Sequence, residues 1–308
     1  HLKKSHCNLH ATLRQRLEAV RALSSQHRIS ILCRVLNVHR SAYYRYINRQ
    51  PSAREQENQR IRQKILEIYA KTGQRLGCRK IRLCLARDFC ISISEGRVYR
   101  LMKEMNLPKM STVKPPRPPK QPDVSQPFQN LLAQKFDQPA PNLVWVCDFT
   151  YVRVGQRFCY LCVVLDLFAR RVIAYRVSTR LDRFLALHTL RDAVRNRGVS
   201  QGVMFHSDRG AQFTSADFRK ELDSLHMVPS FSRKGHPYDN AVMECFFKYL
   251  KKEELDRRHF HSLDQLKQSL LTYIDGFYNP IRPHSHNHGL SPIQAENNFF
   301  RLFTCPNS

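Results

Sequence analysis

Three acidic residues in the C-terminal half of the sequence are the strongest candidates for chemistry. Asp148 lies inside the apolar segment LVWVCDFTYVRV (143–154), and Asp208 follows an apolar run, within HSDRGAQF (206–213). Glu244 lies 36 positions beyond Asp208, in DNAVMECFFKYLKKE. An unpaired charge inside an apolar strand costs on the order of several kcal/mol. Asp148 therefore predicts a bound cation or a basic partner.

The segment around Glu244 predicts a long helix, from about residue 240 to residue 256. Glu244 borders its apolar stripe, so we expect the carboxylate to face the edge of a neighbouring sheet and not bulk water. Lys248 and Lys251 follow at i+4 and i+7 on the same face. An acid beside two cations on one helix suits a phosphodiester substrate. The apolar stripe consists of Met243, Phe246, Phe247 and Leu250.

Three carboxylates a few ångströms apart repel one another, and divalent cations relieve that repulsion. Mg²⁺ and Mn²⁺ take oxygen ligands. Two such ions about 3.5–4 Å apart stabilise both the attacking and the leaving oxygen of a phosphoryl transfer. We therefore predict that Asp148, Asp208 and Glu244 are the catalytic residues and the ligands of two Mg²⁺ or Mn²⁺ ions.

Each acid also has an ordinary structural interpretation. Asp208 alone would cap a turn, and Glu244 alone would pair with Lys248 on a helix surface. Two further acids have only such interpretations: we assign Asp166 to a turn and Asp239 to helix capping. The combined spacing of the other three favours the metal site.

The chain carries a large excess of positive charge. Its 308 residues contain 51 Lys and Arg against 25 Asp and Glu, a net charge of +26. Residues 1–120 hold 27 of the basic and only 7 of the acidic side chains. This charge predicts a polyanionic partner, DNA above all, bound mainly by the N-terminal part. No apolar run reaches the roughly 20 residues of a membrane span, and the start lacks a signal peptide, so we expect a cytoplasmic protein.

The N-terminal third predicts helices arranged as two helix-turn-helix units. In residues 28–47 an apolar helical stripe is followed by a break near Asn37 and a second helix opened by Ser41. In residues 77–107 an amphipathic helix precedes one that Ser94 would cap. A small helical bundle with a solvated basic face is the alternative. The predicted DNA contacts of this region are Arg97, Arg100 and Lys80.

The chain beyond residue 108 changes character twice. Residues 109–127 hold six of the 16 prolines and predict an extended linker. From residue 142 the pattern predicts three strands, then helix, strand, helix, strand and helix, which is the order of a ribonuclease H-like α/β core with a mixed five-stranded sheet. We predict two helix-turn-helix segments at residues 1–50 and 51–108, followed by a Pro-rich linker at 109–141. The catalytic core follows at 142–298 and a tail at 299–308.

Several motifs resemble those of one family. The segments PNLVWVCDFTYV, FHSDRGAQFTS and SRKGHPYDNAVMECFFKYLKKE resemble the three acidic motifs of the IS-three family of bacterial insertion-sequence transposases, specifically its second-reading-frame product. GFYNPIRPHSHNHGLSP resembles the closing motif of that family, and LGCRKIRLCLARD and GRVYRLMKEMNL resemble its second helix-turn-helix segment. The catalytic domain of the family is similar to retroviral integrase, so the resemblance implies an integrase catalytic core.

The resemblance implies a Mg²⁺-dependent polynucleotidyl transferase, a DNA transposase that cleaves the ends of its insertion element and joins them to DNA. Lys251 matches a basic position associated with DNA-end contact, and Arg282 and His284 align with the closing motif. Arg209 and Gln212 flank Asp208. The predicted DNA contacts of the core are Lys251, Lys248, Arg209, Gln212, Arg282 and His284.

The implied partners are the terminal inverted repeats of the element, target DNA, further copies of the chain, and an upstream-frame product fused by programmed frameshifting. No nucleotide cofactor is required, because transesterification conserves bond energy. Two other functions stay open at this point. One is a ribonuclease H-like nuclease without strand transfer, and the other is a catalytically silent DNA-binding regulator.

Overall fold

The computed structural model describes residues 11–107, 128–233 and 237–304. The chain divides into two compact units, residues 1–61 and residues 62–308. None of the helices in these described ranges is long and apolar enough to cross a membrane.

The first unit is helical. Its helices are α1 (Leu13–Leu23), α2 (Ile29–Val35) and α3 (Arg40–Ile47), followed by α4 (Ala53–Lys71). Asn37 takes a left-handed conformation (φ 50°) between α2 and α3, as the predicted break requires. The predicted opening by Ser41 is wrong, because α3 begins at Arg40 and follows His39, whose side chain makes no capping bond. The small core of this unit consists of Leu17, Val20, Leu32, Cys33, Val38 and Tyr43.

A second helical pair opens the larger unit. Helix α5 (Cys78–Phe89) and helix α6 (Glu95–Glu104) pack together through apolar residues of both helices. Ser94 caps α6, as predicted, by accepting a hydrogen bond from the backbone N–H of Arg97. Val98 and Leu101 are buried, so the basic residues of α6 are left on its other faces.

The core contains a mixed five-stranded sheet, which confirms the predicted fold class. Strands β1 (Val144–Val154), β2 (Arg157–Asp166) and β3 (Arg171–Ser178) form an antiparallel meander. Strands β4 (Met204–Ser207) and β5 (Val228–Phe231) extend the sheet on the other side of β1, in parallel. The resulting order is β3-β2-β1-β4-β5, so β1 and β4 are neighbours, as expected.

Helices complete the core. They are α7 (Arg183–Arg197), the short α8 (Ala211–Thr214), α9 (Ala216–Ser224), α10 (Ala241–Glu253), α11 (Leu263–Tyr273) and α12 (Pro292–Thr304). Short 3₁₀ segments precede and follow α10, at Pro237–Asn240 and Leu255–Arg257, and a π-helical turn at Ile274–Tyr278 continues α11. Aromatic and aliphatic residues of α7, α8 and α9 pack with β1, β4 and β5 in one apolar cluster.

The closing segment is tied to the backbone at the start of β3. Asn279 accepts a hydrogen bond from the N–H of Val172 (3.0 Å) and donates one to its carbonyl (2.9 Å). The hydroxyl of Tyr278 donates to the carbonyl of Arg170 at 3.0 Å. These buried bonds use side chains of the closing motif for structure, since each satisfies a backbone group that would otherwise be buried without a partner.

The observed boundaries differ from the predicted domains in three places. The first unit ends at residue 61, not at residue 50. Residues 109–127 of the predicted linker lie outside the described residues, whereas residues 128–141 pack on the core. For example, Ser230 Oγ accepts from the N–H groups of Leu131 and Leu132. Helix α12 continues to Thr304, past the predicted start of the tail at residue 299.

Candidate active site

The sheet register brings two of the three predicted acids together. On the parallel strands β1 and β4, Val146 pairs with His206. Continuing that register by two residues places Asp148 level with Asp208, which follows the last residue of β4. The charge of Asp208 accordingly helps to raise the pKa of Asp148. Two neighbouring strands therefore bring two acids side by side at the point where β4 ends.

Asp148 lies in an environment that disfavours its charge. The side chain is partly buried on β1, and its Oδ1 accepts a hydrogen bond from the N–H of Phe149 at 2.7 Å. Burial is the main cause of a pKa well above the usual value of 3.8, and the charges of Asp208 and Glu244 raise it further. Lys251 acts in the opposite direction but does not compensate.

Asp208 projects from the end of β4 with part of its surface exposed to solvent. The protein atoms around its carboxylate remove enough water to raise its pKa, although the N–H of Gly210 donates to Oδ1 at 2.9 Å. A Cβ at position 210 would stand 3.0 Å from that oxygen and 2.9 Å from Oε1 of Gln212, so one of these side chains would have to shift. The loop can therefore wrap closely around the Asp208 carboxylate.

Helix α10 carries Glu244. Its predicted apolar stripe is confirmed, since Met243, Phe246, Phe247 and Leu250 are buried. The expectation that Glu244 faces away from water is wrong, because its side chain is exposed. It is still close enough to Asp148 to raise the pKa of that acid. The start of α10 is anchored beside Asp148, where Nδ2 of Asn240 donates to the carbonyl of Cys147 at 3.4 Å.

The donor atoms at this edge suit a hard divalent cation. Across the described part of the chain, no three His, Cys, Asp or Glu side chains already stand close enough together to hold a metal ion. The donors that converge are carboxylate oxygens, and the repulsion between Asp148 and Asp208 is one that a cation would relieve. Within the same described ranges, the buried Oδ1 of Asn240 lacks a hydrogen-bond partner. A bound ion would require the exposed Glu244 side chain to turn towards the other two acids.

The basic residues around the acids differ in their exposure and in their contacts. Lys251 is half-buried, with its Nζ 4.7 Å from the centre of the Tyr151 ring, and burial lowers its pKa. Lys248 is exposed. Arg209 is tied to the protein, since its guanidinium donates to the carbonyls of Ser232 (2.9 Å) and Phe128 (3.1 Å). Gln212 is partly exposed beside Asp208.

Arg282 is not placed where it could contact DNA. The residue is 1% exposed, and its Nε and Nη2 each donate to Glu253 at 2.7 Å. Its guanidinium also lies 4.5 Å from the centre of the Tyr249 ring. Release of this side chain to a phosphate would leave Glu253 buried and unpaired, so the geometry corrects the prediction for Arg282.

His284 and Lys80 are enclosed beside the closing segment. His284 is largely enclosed, and burial lowers its pKa to about 2, so it is neutral. Lys80 donates to the carbonyl of Pro283 at 2.7 Å, and burial lowers its pKa to about 8. Both side chains serve the packing of the closing segment in this conformation. Arg97 and Arg100 on α6 are partly and fully exposed, which is compatible with their predicted role.

Asp166 and Asp239, the two acids with predicted structural roles, both accept hydrogen bonds from nearby groups. Asp166 accepts from the N–H groups of Phe168 (2.9 Å) and Asn142 (2.7 Å), which fits its turn role. The prediction that Asp239 caps a helix is wrong. This residue lies within the 3₁₀ turn before α10 and accepts from Gln134 (2.8 Å) and from the N–H of Arg233 (2.9 Å).

Sequence reasoning missed Asn240, Tyr151 and Glu253. Asn240 fixes the start of α10, Tyr151 holds the Lys251 ammonium beside Asp148, and Glu253 binds Arg282. Periodicity gave no signal for Tyr151, because its contact joins a strand to a helix 100 positions away. Glu253 offered one clue: an acid at the end of an apolar stripe predicts a buried basic partner.

Comparisons with known families agree with the fold. Residues 138–237 and 244–300 match the families described as Integrase core domain, and residues 55–115 match the HTH-like domain family. The two integrase matches include Asp148, Asp208 and Glu244.

Solved structures show a distant likeness. The HTLV-2 integrase catalytic core domain in complex with magnesium is 20% identical, with a TM-score of 0.38, over 51% of this chain and 98% of that one. The simian T-cell lymphotropic virus intasome gives 15% identity and a TM-score of 0.41, over 70% and 74% of the two chains.

Full-length relatives are closer. Transposase InsF for insertion sequence IS3A of Escherichia coli is 34% identical over 272 residues, which cover 87% of this chain and 94% of the relative. The insertion element IS600 31 kDa protein of Shigella sonnei is 32% identical over 88% of this chain and 99% of its own length. The transposase for insertion sequence element IS904 of Lactococcus lactis is 31% identical over 81% and 98%. With this identity along nearly its whole length, the chain belongs to the IS3 family of insertion-sequence transposases.

Proposed function

We propose that this transposase cleaves the ends of its own insertion element and joins them to DNA, by phosphodiester hydrolysis followed by transesterification. The observation that carries the proposal is the meeting of Asp148 and Asp208 at one sheet edge. Within the described residues no ion pair neutralises Asp148 or Asp208, since Lys251 lowers the pKa of Asp148 too little to offset its burial. Glu244 lies on the helix anchored beside them. Structural acids elsewhere in the core, such as Asp166, have a basic partner.

Asp148, Asp208 and Glu244 would hold divalent cations, Mg²⁺ or Mn²⁺. When bound, two such ions supply charge stabilisation to the attacking and leaving oxygens of the phosphodiester. Asp148 is fixed by β1, and Asp208, directly after β4, is held by the hydrogen bond from the N–H of Gly210. Glu244 contributes an adjustable ligand, since its exposed side chain can change rotamer without disturbing the core.

Basic residues around the acids would hold the DNA. Lys251 is fixed by the Tyr151 ring beside Asp148, so its ammonium can contact a phosphate next to the scissile bond. Lys248 adds a mobile charge on the same helix. Arg209 holds the loop after Asp208 in place by donating to two backbone carbonyls, and it thereby supports Gln212. Only the rest of its guanidinium would contact DNA.

The helix-turn-helix segment would bind outside the site of chemistry. In this proposal Arg97 and Arg100 on α6 contact the terminal inverted repeat of the element, and their exposure supports it. We propose further that two ends are held together by more than one copy of the chain, that an upstream-frame product contributes in the cell, and that the reaction takes place on chromosomal DNA in the bacterial cytoplasm.

A strand-transfer assay tests the proposal. The substrate is a labelled duplex that carries one end of the element, incubated with target DNA and Mg²⁺ or Mn²⁺. Glu244→Gln should abolish cleavage and joining and leave DNA affinity within about threefold, because only an ion ligand is removed. Glu221→Gln is the matched control, since Glu221 of α9 is engaged in an ion pair with Arg191 of α7.

The outcomes separate the candidate functions. Cleavage without joining in the wild type would indicate a nuclease, and binding without either reaction would indicate a regulator. Joining that persists in Glu244→Gln would show that the site is assigned wrongly.

A further inference from the structure

Two adjacent glutamates at the end of the catalytic helix α10 bind two different parts of the chain. Glu253 binds Arg282 of the closing segment, with both oxygens at 2.7 Å from the guanidinium. Glu254 binds Arg75, which precedes α5 in the helix-turn-helix segment. The end of α10 is thereby connected to the DNA-binding segment as well as to the core.

The Arg75–Glu254 pair is buried and well formed. Nε and Nη2 of Arg75 donate to Oε2 of Glu254 at 3.0 and 2.8 Å, and the two side chains are 12% and 2% exposed. The other oxygen of Glu254 accepts from Ser269 Oγ at 2.7 Å and from Arg258 at 2.9 Å. The Arg75 guanidinium also lies 5.2 Å from the centre of the Phe277 ring. A desolvated ion pair with two hydrogen bonds to one carboxylate oxygen holds its two elements close together.

Further contacts fix α5 on the closing segment. Lys80 donates to the carbonyl of Pro283 at 2.7 Å. Arg87 donates to the carbonyls of Ile281 (3.4 Å) and Gly289 (3.3 Å). These donors reach backbone acceptors, so the helix-turn-helix segment is attached along the length of α5 and not at one point.

Helix α10 transmits this attachment towards Glu244. A helix rises about 1.5 Å per residue, so Glu244 lies roughly 13 Å from Glu253 along a stiff rod. At its other end α10 has the 3.4 Å bond from Asn240 to the carbonyl of Cys147. Glu244 itself is exposed. The backbone position of Glu244 is therefore set by how α10 is held at its two ends, whereas its side chain keeps its freedom of rotamer.

We propose that Arg75 is a positioning residue for DNA joining: through Glu254 it holds α10 to the helix-turn-helix segment, so that a DNA end bound by that segment sets the place of Glu244. The inference rests on the proposed function, because it concerns the position of Glu244 in the same active site. It assigns Arg75 no contact with DNA or with the reacting atoms.

The test uses the full chain and the labelled element end, with rates measured over a range of DNA and Mn²⁺ concentrations. Arg75→Gln should lower kcat for joining by about tenfold to a hundredfold, since a displacement of about 1 Å at a catalytic group has effects of that size. KM for the DNA end should change by less than about threefold, and the Mn²⁺ concentration that gives half-maximal joining should rise. Arg75→Lys should recover part of the rate, because lysine keeps the charge and one hydrogen bond.

Arg258→Gln is the matched control. Arg258 pairs with the same carboxylate as Arg75 but is 53% exposed and belongs to the core. We expect joining in this variant to equal that of the wild type. Equal losses in Arg258→Gln and Arg75→Gln, an unchanged kcat in Arg75→Gln, or a rise in KM alone would each overturn the inference.

A second measurement keeps the inference separate from the proposed function. Hydrogen exchange of the amides in residues 250–254 should be faster in Arg75→Gln than in the wild type, with no change in residues 13–47. If the wild type does not join DNA, the proposed function fails, and the exchange result still decides whether Arg75 holds α10. Unchanged exchange in residues 250–254 would refute that attachment.

Discussion

Replacement of Asp148 by Asn should stabilise the protein in the absence of divalent metal while destroying its ability to be stabilised by metal. Asn occupies the same volume and can accept the same hydrogen bond from Phe149. It removes a charge that burial and the neighbouring carboxylates of Asp208 and Glu244 disfavour. Most core substitutions destabilise, so the sign of this change is diagnostic.

The size of the gain follows from the repulsion between Asp148 and Asp208. Two unit charges about 4 Å apart interact by ~4 kcal/mol at an effective dielectric of 20. Exposure of Asp208 to solvent reduces this figure, and we expect about 1–2 kcal/mol near neutral pH. For a unit of this size that corresponds to roughly 2–8 °C in Tm.

The stability of the wild type should also depend on pH in a direction that the raised pKa of Asp148 determines. Because the pKa of Asp148 is raised by folding, the native state binds more protons than the unfolded state above pH 3.8. Wild-type stability therefore falls, relative to Asp148→Asn, as pH rises from that value through the raised pKa. Below pH 3.8 the acid is protonated in both states, and the two proteins should have equal Tm.

Thermal unfolding, recorded from pH 3 to 8 with EDTA and with Mg²⁺, measures these effects. Mg²⁺ should raise the Tm of the wild type and leave that of Asp148→Asn unchanged. Asp192→Asn is the control. Asp192 of α7 is paired with Arg176 and Arg195, which hold its pKa below the usual value, and the new amide would face both guanidinium groups. That variant should lose about 1–3 kcal/mol. A lower metal-free Tm in Asp148→Asn, or equal stabilisation of both proteins by Mg²⁺, would refute the reasoning.

Three further predictions concern the basic residues. Lys251→Ala should lower joining by about tenfold or more, because it removes a fixed charge at the scissile phosphate, whereas Lys248→Ala should mainly reduce the slope of log affinity against log salt by about one. Arg282→Met should cost about 3–5 kcal/mol in urea unfolding by leaving Glu253 buried and unpaired, and the double variant with Glu253→Gln should recover part of that loss. The pKa of Lys80 is lowered by folding to about 8, so the unfolded state binds more protons between pH 8 and 10.5. Wild-type stability relative to Lys80→Met should therefore rise across that interval, by at most about 1.4 kcal/mol per pH unit.

The sequence was most informative where one local pattern determined the structure. Alternation and apolar runs located β1 to β5 within a few residues, and the strand order followed from their succession. The opening of α3 was misplaced because a serine near a helix start need not be its cap. The core also begins earlier than the pattern indicated, because Leu131 and Leu132 are attached through Ser230, and such a side-chain to backbone contact leaves no periodic signal.

For the candidate site, the acids were predictable and several of the basic residues were not. Asp148 and Asp208 were recognisable because a charge in or after a buried strand requires an explanation. Arg282 was expected on DNA because it aligns with the closing motif of the family, and Lys80 because it lies in the basic helix-turn-helix region. Their actual partners, Glu253 and the carbonyl of Pro283, are distant in sequence. Only the three-dimensional structure distinguishes a lysine or arginine that binds DNA from one that binds protein.

The attachment of α5 also limits how freely such proteins can exchange their DNA-binding parts. A recombinant that received residues 62–107 from another transposase without an arginine at position 75 would bury Glu254 beside Ser269 and Arg258 alone. It would also lose the donors that Arg87 and Lys80 supply to the closing segment. Changes of element specificity are therefore expected to accumulate on the exposed faces of α6, where substitutions leave these contacts intact, and not by exchange of the whole segment. Redesign of the recognised end should follow the same route.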